Sequence, residues 1–206
     1  MSDPLNPWLS RPTTPAPTEA APVVAAPTTS GPTAPQRGVP APDQVDQLPI
    51  RDQRGNASLW LVGAHGGAGE TTLAGLVPEW QATGHSWPRA EAAAPARVLL
   101  VARSNASGLR AAQAAMRQWA AGLVPAVDVL GLVVLADAPG RLPRPLRDLL
   151  QVVSGGVPRT WSVPWVDSWR VGEPPALTNA PREAQRLVDE LHAILGTGAA
   201  GTTNER

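Results

Sequence analysis

The chain has 206 residues, 17 basic and 17 acidic side chains, a formal net charge of +0 and a sequence pI near 6.8, so no bulk positive field marks it for nucleic acid or an acidic membrane, and neither is expected as a partner. Cysteine is absent, which excludes disulfides and thiolate metal sites and fits a cytoplasmic protein. No apolar run approaches the ~20 residues of a membrane span and no signal-peptide core is apparent. All basic side chains are Arg and all eight aromatics are Trp, a skew attributed to coding bias.

Half of the 24 prolines precede residue 50. Residues 1–56 are built largely from Pro, Ala and Thr with almost no periodic apolar pattern, so they bury too little to offset their conformational entropy. A disordered arm is expected there, acting either as a tether for protein partners or as a solvated tail. The folded domain is expected over 57–196, with a frayed tail over 197–206.

Leu59, Trp60, Leu61 and Val62 read as a buried strand. It runs into the glycine-rich stretch His65, Gly66, Gly67, Ala68, Gly69, Glu70, Thr71 and Thr72, where a helix opens that Pro78 holds to two or three turns. A strand, a glycine loop and a helix N-terminus in that order present a concave row of backbone N–H groups, which suits a phosphate. Glu79 to Pro95 reads as a polar connection without a strand, carrying His85 either as a solvated loop residue or as a ligand or base.

Arg97 to Ala102 is the second expected strand, followed by caps at Ser104 to Ser107 and a helix to about Ala121 with Leu109, Ala112, Met116, Trp119 and Ala120 on its apolar face. Val127 to Ala136, apolar on both faces, reads as a central parallel strand. It ends in Asp137-Ala138-Pro139-Gly140, open to two readings: a metal-holding aspartate or a plain turn. Pro143 to Val153 forms a helix stopped by Gly155-Gly156, with Leu146, Leu149, Leu150 and Val153 inward. Arg159 to Val166 is the fourth expected strand, at an edge or already ending at Pro164, which has no N–H to give. Trp161, Trp165 and Trp169 read as packing, or as a docking surface for a protein partner if exposed. Asn179 as cap and Pro181 in the first turn open the last helix, whose stripe is Ala184, Leu187, Val188, Leu191 and Ile194 and whose end is Gly196.

Strand and helix alternate four times, which points to an α/β fold with an open, mostly parallel sheet of about four to five strands and helices on both faces. The glycine loop, Asp137 and Asp167 all follow strand ends, where such sheets bind their ligands.

The run from His65 to Thr72, HGGAGETT, resembles the deviant Walker A motif of the ParA/MinD partition and positioning ATPases, whose pattern is K-G-G-x-G-K-[ST]-T. It is similar also to uncharacterised proteins of high-GC bacteria with the same loop and glutamate, which bring no function with them. The ATPase resemblance implies a P-loop fold and ATP with Mg2+, with residues 65–72 around the phosphates. By the same likeness Asp137 looks like a Walker B aspartate sharing the metal with Thr71, and Pro164-Trp165-Val166-Asp167 like the loop lining the base pocket, in a homodimer.

Two positions depart from the family pattern. Glu70 stands where the phosphate-reaching lysine belongs, and His65 where the signature lysine would reach into a partner subunit's nucleotide. Two unit charges ~4 Å apart at an effective dielectric of ~20 interact by ~4 kcal/mol, so Lys to Glu turns an attraction of that size into a repulsion. At ~1.4 kcal/mol per tenfold, useful ATP binding is lost unless a cation compensates. The chain has no Lys, so that cation is an Arg, another protein, or a Mg2+ bridging Glu70, Thr71 and a phosphate. Alternatively Glu70 caps its own helix and occupies the anion site itself.

Three functions follow. The leading one is a degenerate P-loop protein that binds nucleotide weakly or not at all and acts as a scaffold or regulator without being an enzyme. The second is an atypical Mg-dependent ATP-binding enzyme using Glu70, Thr71 and Asp137. The third is a pure protein-interaction module whose loop survives as architecture.

Overall fold

The structure, a computed structural model, describes residues 31–200, with side chains to residue 196. Five parallel strands form the central sheet: β2 (Leu59–Gly63), β3 (Trp80–Ala82), β5 (Ala96–Arg103), β6 (Val127–Leu135) and β7 (Thr160–Val163), in the order β3-β2-β5-β6-β7. A second, two-stranded parallel sheet pairs β1 (Ile50–Arg51) with β4 (Trp87–Pro88). The α/β architecture expected from the alternation of elements is the one observed.

The apolar runs of β5 and β6 are buried on both faces because helices cover both. On one face lie α2 (Ala106–Ala120) and α3 (Arg144–Ser154), where Leu109, Ala112, Met116 and Trp119 pack on Val98, Leu100, Leu132 and Val134. The other face carries α1 (Glu70–Ala74) and α5 (Arg182–Ala200), where Leu187 and Leu191 are fully buried against strand residues including Leu99 and Val133. Each such leucine contributes about 1.5–3 kcal/mol of burial. The short α4 (Asp167–Arg170) follows β7.

Several expectations are corrected. Residues 31–56, assigned to the arm, contain a strap laid along α2. Gln36 N–H donates to the Ala120 carbonyl (2.9 Å), Arg117 donates to the Pro40 and Ala41 carbonyls, and the Gln118 amide holds both backbone groups of Leu48 (2.9 and 2.8 Å). This segment is fixed by polar bonds to its backbone, which a search for apolar periodicity does not register. Residues 1–30 and 201–206, the rest of the expected arm and tail, lie outside the described residues.

The connection from Glu79 to Pro95 holds two strands, β3 and β4, anchored by the buried Trp80 and Trp87. α1 is a five-residue helix, shorter than the two or three turns expected, and turns carry the chain on to Pro78. Asn179 does not cap α5, since its carboxamide oxygen accepts from the Ala176 N–H (3.1 Å). α5 also runs past Gly196 and Gly198 to Ala200, each helical glycine costing only ~1 kcal/mol.

Candidate functional site

The strand order places a reversal between β2 and β5: the chain leaves β2 for β3 on one side and returns to β5 on the other. A crevice beyond the strand ends at such a switch point is where doubly wound sheets take ligands. The glycine loop follows β2 and Arg103 ends β5, so the two flank this point.

Gly67 (φ +74°) and Gly69 (φ +101°) adopt left-handed backbone that bends the chain from β2 into α1. Glu70, the first residue of α1, is only 6% exposed, and its carboxylate lies back against the end of β2. A methyl added to Gly63 would fall 2.6 Å from the Glu70 carboxyl carbon, so the absence of a side chain at Gly63 makes the seat for that carboxylate. His85 Nε2 lies 3.5 Å from Glu70 Oε1. His85 sits at φ +50°, and the left-handed Gly84-His85 turn brings its ring to the loop at a backbone cost of order 1–2 kcal/mol. The Glu70 carboxylate thus meets His85, and among the described residues it accepts no N–H from the first turn of α1, the bond that the self-capping alternative requires.

His65 stitches the loop to β5. Its Nε2 accepts from the Arg103 backbone N–H (3.0 Å), so the ring proton is on Nδ1, which donates to the Gly66 carbonyl (2.9 Å). The Arg103 side chain then crosses the switch point, Nε donating to Gly67 O and Nη1 to Ala136 O, each at 3.1 Å. One arginine thus ties the glycine loop to the end of β6. Burial lowers the guanidinium's pKa below its ordinary value, and the neighbouring charge of Arg170 lowers it further, while Asp137 and Glu70 act in the opposite sense. Arg103 is not among the residues singled out in the sequence. The only signal was its place at the last position of RVLLVAR, where the backbone turns toward the switch point.

The remaining sequence-derived candidates are dispersed. Ala68 is buried, Gly66 and Thr71 are exposed, and Thr72 faces a pocket beside Arg103. Asp137 follows β6, which lies two strand spacings from β2, ~10 Å. Its backbone N–H donates to Ser104 Oγ (3.0 Å), and it lines a different, largely apolar cavity of about 570 Å3 against α3. Asp167 is exposed, with Oδ1 accepting from Trp165 Nε1 (2.7 Å). Among the described residues no cluster of three or more His, Asp or Glu side chains is arranged to hold a metal, and no helix is long and apolar enough to cross a membrane.

Fold and crevice together define a doubly wound α/β protein with a glycine loop at its topological switch point. A family model described as a family of unknown function (DUF6668) matches residues 57–185, and the chain belongs to that family. No curated protein and no solved structure matches it.

Proposed function

We propose that the chain is a degenerate P-loop protein of ParA/MinD type that does not hydrolyse nucleotide and serves as a scaffold or regulator. The observation that carries this reading is the Glu70 carboxylate, seated against Gly63 at the base of the loop and faced by His85. A group of the same sign as a phosphate is built into the position from which a lysine would reach one. His65 is engaged at both ring nitrogens, and the Nε of Arg103 is taken up by the Gly67 carbonyl. On this reading the protein works in the cytoplasm, with protein partners reached through the residues before Gly31 or through the surface around the half-buried Trp165.

The test is titration of the full chain with ATP and Mg2+, wild type beside Glu70→Lys. The wild type is expected to show neither turnover nor saturable binding up to millimolar nucleotide. Glu70→Lys replaces a repulsion of order ~4 kcal/mol by an attraction and is expected to bind. Saturable, Mg2+-dependent binding by the wild type that survives Arg170→Gln sinks the reading in favour of the atypical enzyme.

A further inference from the structure

A second pocket, of about 150 Å3, lies beside the loop and apart from the seat of Glu70. Thr72 from α1, Arg103 from β5, and Pro164, Trp165, Trp169 and Arg170 from the segment after β7 line it. Its polar groups are donors in excess. Arg103 uses Nε and Nη1 on the Gly67 and Ala136 carbonyls and has further N–H groups to give. Arg170 stacks over Trp165, 4.8 Å from the ring centroid, which engages its face and leaves its N–H edge. Among the described residues neither guanidinium forms an ion pair, and the nearby Asp167 accepts instead from the indole N–H of Trp165. The indole N–H of Trp169 is sealed from solvent and has no acceptor among the described residues.

Two guanidinium groups without an ion-pair partner around one small space amount to a site short of an anion. We propose that this pocket binds a phosphate group, either inorganic phosphate or the phosphate of a small monoester, between Arg103 and Arg170. At ~30 Å3 per water the space holds about five water-sized groups, the number of heavy atoms in a tetrahedral oxyanion. Donors arriving from three separate elements suit a tetrahedron better than a planar carboxylate, and guanidinium forks match phosphate oxygens in pairs. The pocket shares Arg103 with the glycine loop but does not depend on whether the loop takes nucleotide.

The full chain is titrated with inorganic phosphate against chloride at matched ionic strength, followed by melting temperature and by tryptophan fluorescence, since Trp165 and Trp169 line the site. Saturation is expected, with a midpoint at or below ~1 mM. Arg170→Gln should weaken binding at least tenfold, read as the shift in the phosphate midpoint relative to each protein's own baseline in chloride, since the change also removes the stack on Trp165. Glycerol 3-phosphate binding more tightly than phosphate identifies the ligand as a phosphorylated small molecule, and equal or weaker binding identifies it as free phosphate. A melting temperature that follows ionic strength alone, or undiminished binding by Arg170→Gln, overturns the proposal.

Discussion

Gly63→Ala tests the position of the Glu70 carboxylate directly. The new methyl would lie 2.6 to 2.8 Å from the carboxyl carbon and both oxygens, closer than non-bonded atoms come, so the carboxylate has to leave its seat and its contact with His85. Overpacking of this kind costs about 1–3 kcal/mol. Gly63 carries no positive φ, so in the absence of the clash alanine is expected to stabilise by ~0.4–1 kcal/mol through the unfolded chain. The sign of the effect should therefore depend on residue 70: destabilising in the wild type, neutral or stabilising in Glu70→Ala. Urea unfolding of the four proteins of this cycle yields the coupling, expected at ~1–3 kcal/mol. Additivity within ~0.5 kcal/mol would mean that the two side chains do not meet, and the proposed function would lose its carrying observation.

Gln118→Ala strands the Leu48 backbone and the indole N–H of the fully buried Trp87, so urea unfolding should register a loss of about 2–4 kcal/mol. Removing residues 31–51 in addition to 1–30 discards the packing of Leu48 and Ile50, worth ~3 kcal/mol, and should lower the melting temperature by ~6–12 °C relative to removal of 1–30 alone. Gly131→Ala drives a methyl into the Arg159 backbone carbonyl and the Trp161 ring, neither of which is a flexible tip, so a loss of about 3 kcal/mol is expected by the same assay. Gly108→Ala places a methyl 2.8 Å from His65 Nε2 and should release the His65 to Arg103 bond, detectable as a shift of the His65 ring resonances and faster exchange of the Arg103 amide proton.

The elements legible in the sequence were those whose own residues carry the apolar pattern. β2, β5, α2, β6, α3, β7 and α5 lie within a few residues of where periodicity puts them, and the edge position of β7 followed from Pro164. What escaped was structure held by a partner distant in sequence. β4 pairs with β1, and the strap is fastened by Arg117, Gln118 and the Ala120 carbonyl of α2, so neither shows in a local window. At the site, the oddity of Glu70 was plain from the motif alone. Its partner His85 read foremost as a solvated loop residue, and the crossing of Arg103 was invisible because a strand-terminal arginine reaching two carbonyls has the same one-letter code as one in water.

The strap decides where the preceding chain departs. Gly31 lies against the Val157 carbonyl ahead of β7, and Gln36 reaches the last turn of α2, so the polypeptide enters at the floor of the sheet and climbs beside α2. The glycine loop and both arginines stand at the roof. The place where Gly31 meets the domain and the pocket between Arg103 and Arg170 therefore stand at opposite ends of the sheet, with α2 running from one to the other.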